Sequence, residues 1–295
     1  MARQRVFIVD VFAEDKYAGN QLAVVTESAP LATDTMQRIA RETNFSETTF
    51  ILSDHPRDGA YDVRIFTPAA ELPFAGHPTL GTAFVLRNEV LTSRPDSLTL
   101  RLGIGEVPVR FVGEGDGRET VWLSAPHVEL GRIHSPEDIA PLVGLSAGDL
   151  DRRFPVQDAA IGVSFTIVPV ATLDAMKRAR PNRSAFDRER GSGFPHFLFS
   201  CEAYSASNQI NARMFAESFG VAEDPATGSA NACLGAYLLQ HGHGYGGGDR
   251  LYLRVEQGYE IGRPSLLFVR GVRSAAGIDV SVGGHVVPTF RGELL

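Results

Sequence analysis

The sequence predicts an α+β protein of two similar domains, each a β-barrel-like sheet wrapped around one central α-helix. Two observations carry this. The stretch Glu223-Asp-Pro-Ala-Thr-Gly-Ser-Ala230 runs straight into Asn231-Ala-Cys-Leu-Gly-Ala-Tyr-Leu-Leu239, and no Asp, Glu, Lys or Arg occurs between Asp224 and Asp249. Apolar residues recur there at Cys233, Leu234, Tyr237 and Leu238, the spacing of one helical face. A helix without a charged face has to be buried almost all round. The second observation is that the construction occurs twice. Pro73-Phe-Ala-Gly-His77 opens Pro78-Thr-Leu-Gly-Thr-Ala-Phe-Val-Leu86 and aligns with Pro225-Ala-Thr-Gly-Ser229, so that His77 corresponds to Ser229. Matched turns before two uncharged helices indicate an internal duplication.

At 295 residues the chain exceeds what one core commonly supports, which agrees with two domains. They are placed at 1–126 and 127–295, with the terminal strand free to return to the first. In the first, strand patterns at Arg5 to Phe12 and Gln21 to Val25 flank a turn at Tyr17 to Asn20. Thr33 or Asp34 is positioned to cap a helix with Met36, Ile39 and Ala40 on one face, ending near Thr43 and Asn44. Strands follow at Glu47 to Ser53 and Ala60 to Phe66, then the buried helix, then strands near Ser97 to Leu102, Glu106 to Phe111 and Thr120 to Ala125. Between Pro126 and Gln157 the pattern reads as a capped helix at Ser135 and an acidic turn at Ala147 to Asp151. A second set then begins: Ser164 to Val170, a short helix near Leu173, strands at Gly193 to Cys201 and Ile210 to Ala216, the second buried helix, and strands to the end.

Composition removes several function classes. A net charge of −7 argues against nucleic acid, and the one local concentration of Arg and Lys, Lys177 to Arg190, also holds Asp187 and Glu189. No apolar run reaches membrane-spanning length, and Met1-Ala-Arg-Gln-Arg-Val enters a strand without a secretory signal, so the expected place is the cytoplasm. Two cysteines, Cys201 and Cys233, are too few for a disulfide framework and lie in apolar patterns. The glycine run 241–248 has no helix after it to make a phosphate-binding turn, and no dinucleotide fingerprint occurs. His241 and His243 form an H-x-H pair, but no further ligand completes a metal site.

Four polar positions stand where chemistry is available: Glu47, His77, Asp224 and Ser229. Glu47 opens a strand between Phe45 and Phe50, and apolar surroundings bring a carboxyl toward neutrality, which suits a group that accepts and then donates a proton. On residues alone an exposed strand-end carboxylate is the commoner case. His77 lies in a first helical turn, where the positive dipole end disfavours imidazolium; it serves either substrate or the turn itself. Asp224 and Ser229 read first as ordinary caps. The helix start they occupy nevertheless offers amide N–H groups to an anion such as a carboxylate.

Gly19-Asn20, Asn44-Phe-Ser-Glu47-Thr, Phe66-Thr-Pro, Leu72-Pro-Phe-Ala-Gly-His77-Pro-Thr, Glu223-Asp-Pro-Ala-Thr-Gly-Ser229-Ala, Gln257-Gly and Gly262-Arg-Pro-Ser265 together resemble the PhzF family of phenazine-biosynthesis-type isomerases, end to end. That family is similar in fold to diaminopimelate epimerase, which implies an active site in the cleft between the domains. The resemblance implies that Glu47 moves the proton, with His77 and Asp224 as further catalytic residues and Asn20, Gly76, Gly228 and Ser229 binding substrate. It reverses the order of readings at Glu47. It also implies a homodimer acting on a small carboxylate, similar to trans-2,3-dihydro-3-hydroxyanthranilate, with no cofactor and no metal; the alternatives are an epimerase or racemase of an amino or hydroxy acid, and a non-catalytic small-carboxylate-binding protein of the same fold. Epimerases of this fold use a cysteine in each matched turn, and here neither turn has one. Gln21 and Ala216-Glu217 depart from residues frequent in the family, beside the motifs.

Overall fold

A computed structural model of the chain describes residues 4–115, 117–182, 194–216, 221–242 and 248–295. The chain divides into two compact units, Met1–Ser124 with Gly283–Leu295, and Ala125–Val282.

Unit 1 contains β1 (Arg5–Val11), β2 (Asn20–Val25), α1 (Thr33–Thr43), β3 (Glu47–Ile51), β4 (Tyr61–Phe66), β5 (Glu71–Leu72), α2 (Gly76–Val85), β6 (Ser97–Leu102), β7 (Gly105–Gly113), β8 (Glu119–Ser124) and the chain's last strand, β18 (Val286–Glu293). The sheet runs β18-β1-β2-β3-β4-β6-β7-β8, with β5 beside β4. Two of its pairings are parallel: β2 with β3, where Leu22 faces Glu47, and β4 with β6, where Tyr61 faces Leu100. Helix α2 packs against β1, β2, β3, β6, β7, β8 and β18, which is why its sequence carries no charge. The approach is close. A Cβ on Gly81 would stand 2.6 Å from Leu22 Cδ2 and 2.8 Å from Val11 Cγ2, so a larger residue there would have to push these side chains aside. Helix α1 covers another face through Met36 and Ala40 against Val6, Val25, Phe50 and Phe66.

Unit 2 contains β9 (Glu129–His134), α3 (Pro136–Ile139), β10 (Val156–Ala160), β11 (Ser164–Pro169), α4 (Leu173–Arg178), β12 (His196–Ser200), β13 (Ile210–Ala216), β14 (Val221–Asp224), α5 (Gly228–Gln240), β15 (Arg250–Gln257), β16 (Ser265–Ser274) and β17 (Gly277–Gly284). Its pairings run β9-β10-β11-β12-β13-β15-β16, with β14 beside β13. The parallel pairs are β11 with β12 and β13 with β15. Helix α5 packs against β10, β11, β15 and β16. Cys233, Leu234, Tyr237 and Leu238 along it are fully buried, each contributing up to about 1.5–3 kcal/mol by transfer from water.

The two units therefore repeat one order: β1 to β7 with α1 and α2 correspond to β10 to β16 with α4 and α5, down to the position of both parallel pairs. Several expectations need correction. Helix α1 is capped at Ala32, not Thr33 or Asp34, and the cap makes no side-chain hydrogen bond to the first turn; Asn44 ends the helix at φ 55°. Strand β9 lies in a stretch read as helix and turn, because its Glu-Leu-Gly-Arg-Ile-His sequence is mostly exposed and lacks alternation. Strand β10 begins inside that stretch as well. Strands β5 and β14 are too short to show a period. Gly193, Glu217 and His243 lie outside the described residues.

Candidate active site

In unit 1 the first residue of β2, the first of β3 and the second of α2 meet. Asn20 is buried, and its Nδ2 lies 3.3 Å from Nδ1 of His77. On the other side of the ring, Nε2 lies 3.3 Å from Glu47 Oε2, with side-chain exposures of 5% for His77 and 16% for Glu47. The contact is an approach of dipole and charge rather than an aligned hydrogen bond. Burial holds the His77 pKa down to about 3, against a backbone hydrogen bond at Gln21 that works in the opposite direction. The ring is thus neutral, and desolvation rather than the helix dipole is the dominant cause. The neutral ring therefore stands between the Asn20 amide, at its Nδ1 edge, and the Glu47 carboxyl group, at its Nε2 edge. Gly76 is the buried first residue of α2, next to this group.

Local structure explains the convergence. Asn44 in the left-handed region turns the chain out of α1, so that β3 starts at Glu47 alongside β2. Tyr17 at φ 67° and Gly19 at φ 65° bring the chain back into β2 at Asn20. A Cβ on Gly19 would lie 2.4 Å from the Val11 carbonyl oxygen, so only glycine fits that turn.

In unit 2 the turn before α5 is built around Gln257, a fully buried residue at the end of β15. Its Nε2 donates to the Asp224 carbonyl at 2.9 Å and to Thr227 Oγ1 at 3.1 Å; its Oε1 accepts from Thr227 N at 3.1 Å and from Asn231 Nδ2 at 3.1 Å. Thr227 Oγ1 donates to Asp224 Oδ2 at 2.5 Å. Thr227 is the residue before the helix, Gly228 and Ser229 are its first two, and their amides are the orphan donors of a helix start. Asn231 donates to the Thr227 carbonyl at 3.0 Å, as Thr79 Oγ1 donates to that of Ala75 at 2.7 Å before α2.

Asn20, Glu47, Gly76 and His77 therefore cluster at one pole of unit 1, and Asp224, Gly228 and Ser229 lie on the corresponding turn of unit 2. Sequence reasoning noted Gln257 only as part of a motif and missed the bonds of Asn231. A buried polar side chain one strand away from a turn leaves no periodic signal. His241 of the H-x-H pair donates from Nε2 to Gln157 Oε1, 2.8 Å away. Among the described residues no group of three or more His, Cys, Asp or Glu is arranged to hold a metal ion, and no helix is long and apolar enough to cross a membrane.

The chain matches a family model described as phenazine biosynthesis-like protein over residues 9–292. A trans-2,3-dihydro-3-hydroxyanthranilate isomerase of Pseudomonas aeruginosa is 34% identical, covering 98% of this chain and 99% of its own. An uncharacterised isomerase of Clostridium acetobutylicum is 30% identical over 99% and 98% of the two chains. Among solved structures, a phenazine biosynthesis protein from Bacillus anthracis matches with TM-score 0.90 at 28% identity, covering 100% of both chains. A hydroxyproline epimerase from Agrobacterium vitis matches with TM-score 0.62 at 12% identity over 99% and 92%, a likeness of fold.

Proposed function

The chain belongs to the phenazine biosynthesis-like (PhzF) family and is an isomerase, and from that premise we propose that it moves a proton on a small cyclic or unsaturated carboxylate with Glu47 as the carrier. The observation that carries this reading is the approach of Glu47 Oε2 to the buried, neutral ring of His77. Glu47 takes a proton from one carbon, the electron pair of that C–H bond moves into the conjugated system, and the same carboxyl returns the proton to another carbon. Protons and electrons balance, so no oxidant or leaving group enters. General acid–base catalysis of this kind contributes about 10²- to 10⁴-fold.

Asp224 is assigned to catalysis with His77, and Asn20, Gly76, Gly228 and Ser229 to binding the substrate. The amides at the start of α5 suit a carboxylate or the negative charge that develops in the transition state. Trans-2,3-dihydro-3-hydroxyanthranilate, the substrate in the name of the Pseudomonas relative, is the first compound of this class to offer. Thiol-based epimerisation is disfavoured: burial pushes the Cys233 thiol far above its ordinary pKa, and Cys201 follows β12 in the sequence and belongs to neither turn. A cytoplasmic homodimer goes with this reading, and light scattering of the purified protein checks the assembly.

The test is incubation with trans-2,3-dihydro-3-hydroxyanthranilate and related carboxylates in deuterated water, followed by NMR. A constitutional isomer is expected, formed without added metal or cofactor. A mirror-image product would make the protein an epimerase, and binding without conversion would make it a ligand-binding protein.

A further inference from the structure

The duplicated turns share a second device. In unit 1 Arg64 of β4 grips Glu71 of β5 with two parallel bonds, Nε to Oε1 at 2.7 Å and Nη2 to Oε2 at 2.6 Å. In unit 2 Arg213 of β13 grips Glu223 of β14 through the same atoms, at 2.9 and 2.7 Å. Each guanidinium also lies over the phenylalanine two residues on, Phe66 at 5.0 Å and Phe215 at 4.9 Å. Each arginine reaches the outer helix of its unit: Arg64 Nη1 donates to Thr33 Oγ1 at 2.9 Å, and Arg213 Nη1 donates to the carbonyls of Met176 and Ala179 at 2.7 and 2.8 Å. The repeated pattern is Arg-x-Phe on one strand and Glu-x-Pro-x-x-Gly-His/Ser on the next.

We propose that Arg64 and Arg213 are equivalent positioning residues, each fixing through its glutamate the turn that carries a site residue: His77 in unit 1, Asp224 and Ser229 in unit 2. The proposal rests on the functional reading above for what those residues do, but not for the clamp itself. Strand β5 is two residues long and pairs with β4 only at Ile65–Leu72 and Phe66–Glu71; beyond it the Ile104 N–H donates to the Pro73 carbonyl at 3.2 Å. From the other side each turn meets a glycine at the end of the following strand. A Cβ on Gly103 would stand 2.8 Å from Pro73 Cα, and one on Gly258 would stand 2.6 Å from the Pro225 carbonyl oxygen. An arginine fork in front and a glycine behind leave the turn one path. A fork that engages both carboxylate oxygens sets angle as well as distance, which a lysine cannot do.

The two clamps differ in setting. Arg213 and Glu223 are 2% and 8% exposed, whereas Arg64 and Glu71 are 26% and 41% exposed. Removing Arg213 would leave a buried carboxylate unpaired, a strongly destabilising change. Unit 1 is therefore the place to test the device, with Glu223→Gln as the milder probe of unit 2. Arg101, which is 23% exposed and lines the same cleft but pairs with Asp62 and Glu106 rather than Glu71, is the control for an arginine beside the turn that does not grip it.

The experiment records long-range ¹H–¹⁵N spectra of histidine-labelled full chain for the wild type and for Arg64→Lys, Glu71→Gln and Arg101→Lys, beside their melting temperatures. The clamp predicts that the His77 ring resonances shift or broaden in Arg64→Lys and Glu71→Gln and stay in place in Arg101→Lys, with melting temperatures alike. Unchanged His77 resonances in both clamp variants overturn the proposal, whatever the substrate proves to be. Kinetics with trans-2,3-dihydro-3-hydroxyanthranilate add a second readout. Arg64→Lys should lose about 10- to 100-fold in kcat with KM little changed, the scale of an ångström-sized misplacement, while Glu223→Gln should raise KM more than it lowers kcat. Clamp variants with the kinetics of Arg101→Lys contradict the proposal. A wild-type enzyme that does not turn this compound over refutes the proposed substrate instead, and the histidine spectra then decide the clamp alone.

Discussion

The side-chain amide of Gln257 meets Thr227 from both ends, Oε1 accepting from its backbone N–H and Nε2 donating to its hydroxyl, each at 3.1 Å. Gln257→Leu keeps much of the volume but takes the amide away from the Thr227 N–H and the Asp224 carbonyl, while Asn231 Nδ2 and the Thr227 hydroxyl keep their bonds to the Thr227 carbonyl and to Asp224. Each unsatisfied buried group costs about 1–3 kcal/mol. The expected result is a lower denaturant midpoint together with a raised KM, because the amides of Gly228 and Ser229 lose their fixed direction. Chemical denaturation and steady-state kinetics check the two effects.

Gly258 and Gly262 both have positive φ, 77° and 72°. A Cβ on Gly258 would meet the Arg263 carbonyl oxygen at 2.4 Å and that of Pro225 at 2.6 Å, whereas one on Gly262 meets nothing within 4 Å. Gly262→Ala should cost only the left-handed penalty, about 1–2 kcal/mol. Gly258→Ala should cost more and also weaken substrate binding. Denaturant titration of the two variants side by side measures the difference.

His285 Nδ1 lies 2.7 Å from Glu14 Oε1 and its Nε2 2.9 Å from Glu114 Oε1. Burial pulls the His285 pKa down, but hydrogen bonds and charge from the two glutamates outweigh it, and the net shift is upward from 6.5. Glu14 is held below 4.5, chiefly by its bond to His285; Glu114 is also lowered, where burial is outweighed by bonds from Thr120 and His285. A raised histidine stabilises fully below pH 6.5 and loses that contribution as pH rises through the folded value. Lowered glutamates stabilise above 4.5 and lose it on acidification. Stability from this cluster should be greatest between those limits. His285→Gln should flatten the decline on the alkaline side, as urea midpoints measured from pH 5 to 9 will show.

With the His77 pKa at about 3, its ring stays neutral throughout the range in which enzymes are usually assayed. His77→Gln should therefore lower kcat without removing an inflection from the kcat/KM profile between pH 5 and 9. A limb near pH 6.5 present in the wild type and absent from the variant would contradict the neutral assignment.

The buried helices were legible in the sequence because a helix enclosed by a sheet has no use for a charge, and α2 and α5 lack one. The matched turns were legible because backbone demands at Pro73 and Gly76 recur at Pro225 and Gly228. What packs against those turns was not. Gln257 lies 30 residues from Thr227, and His285 lies 271 residues from Glu14 and 171 from Glu114, separations that carry no period. The Arg–Glu clamps escaped for a related reason: the partners are seven residues apart in unit 1 and ten in unit 2, so the repeat shows only once the strands are paired. The roles of Glu47 and its neighbours came from motif resemblance rather than from pattern, since a half-buried carboxylate at a strand start looks like many others.

The most direct measurement is the turnover of Glu47→Gln, which preserves shape and removes the proposed proton carrier. With trans-2,3-dihydro-3-hydroxyanthranilate as substrate, kcat should fall by about 10²- to 10⁴-fold while the variant still binds substrate or product. Ser229→Ala, in contrast, should lose mainly affinity. A Glu47→Gln enzyme with near-normal kcat would contradict the account and move the proton to Asp224 or His77.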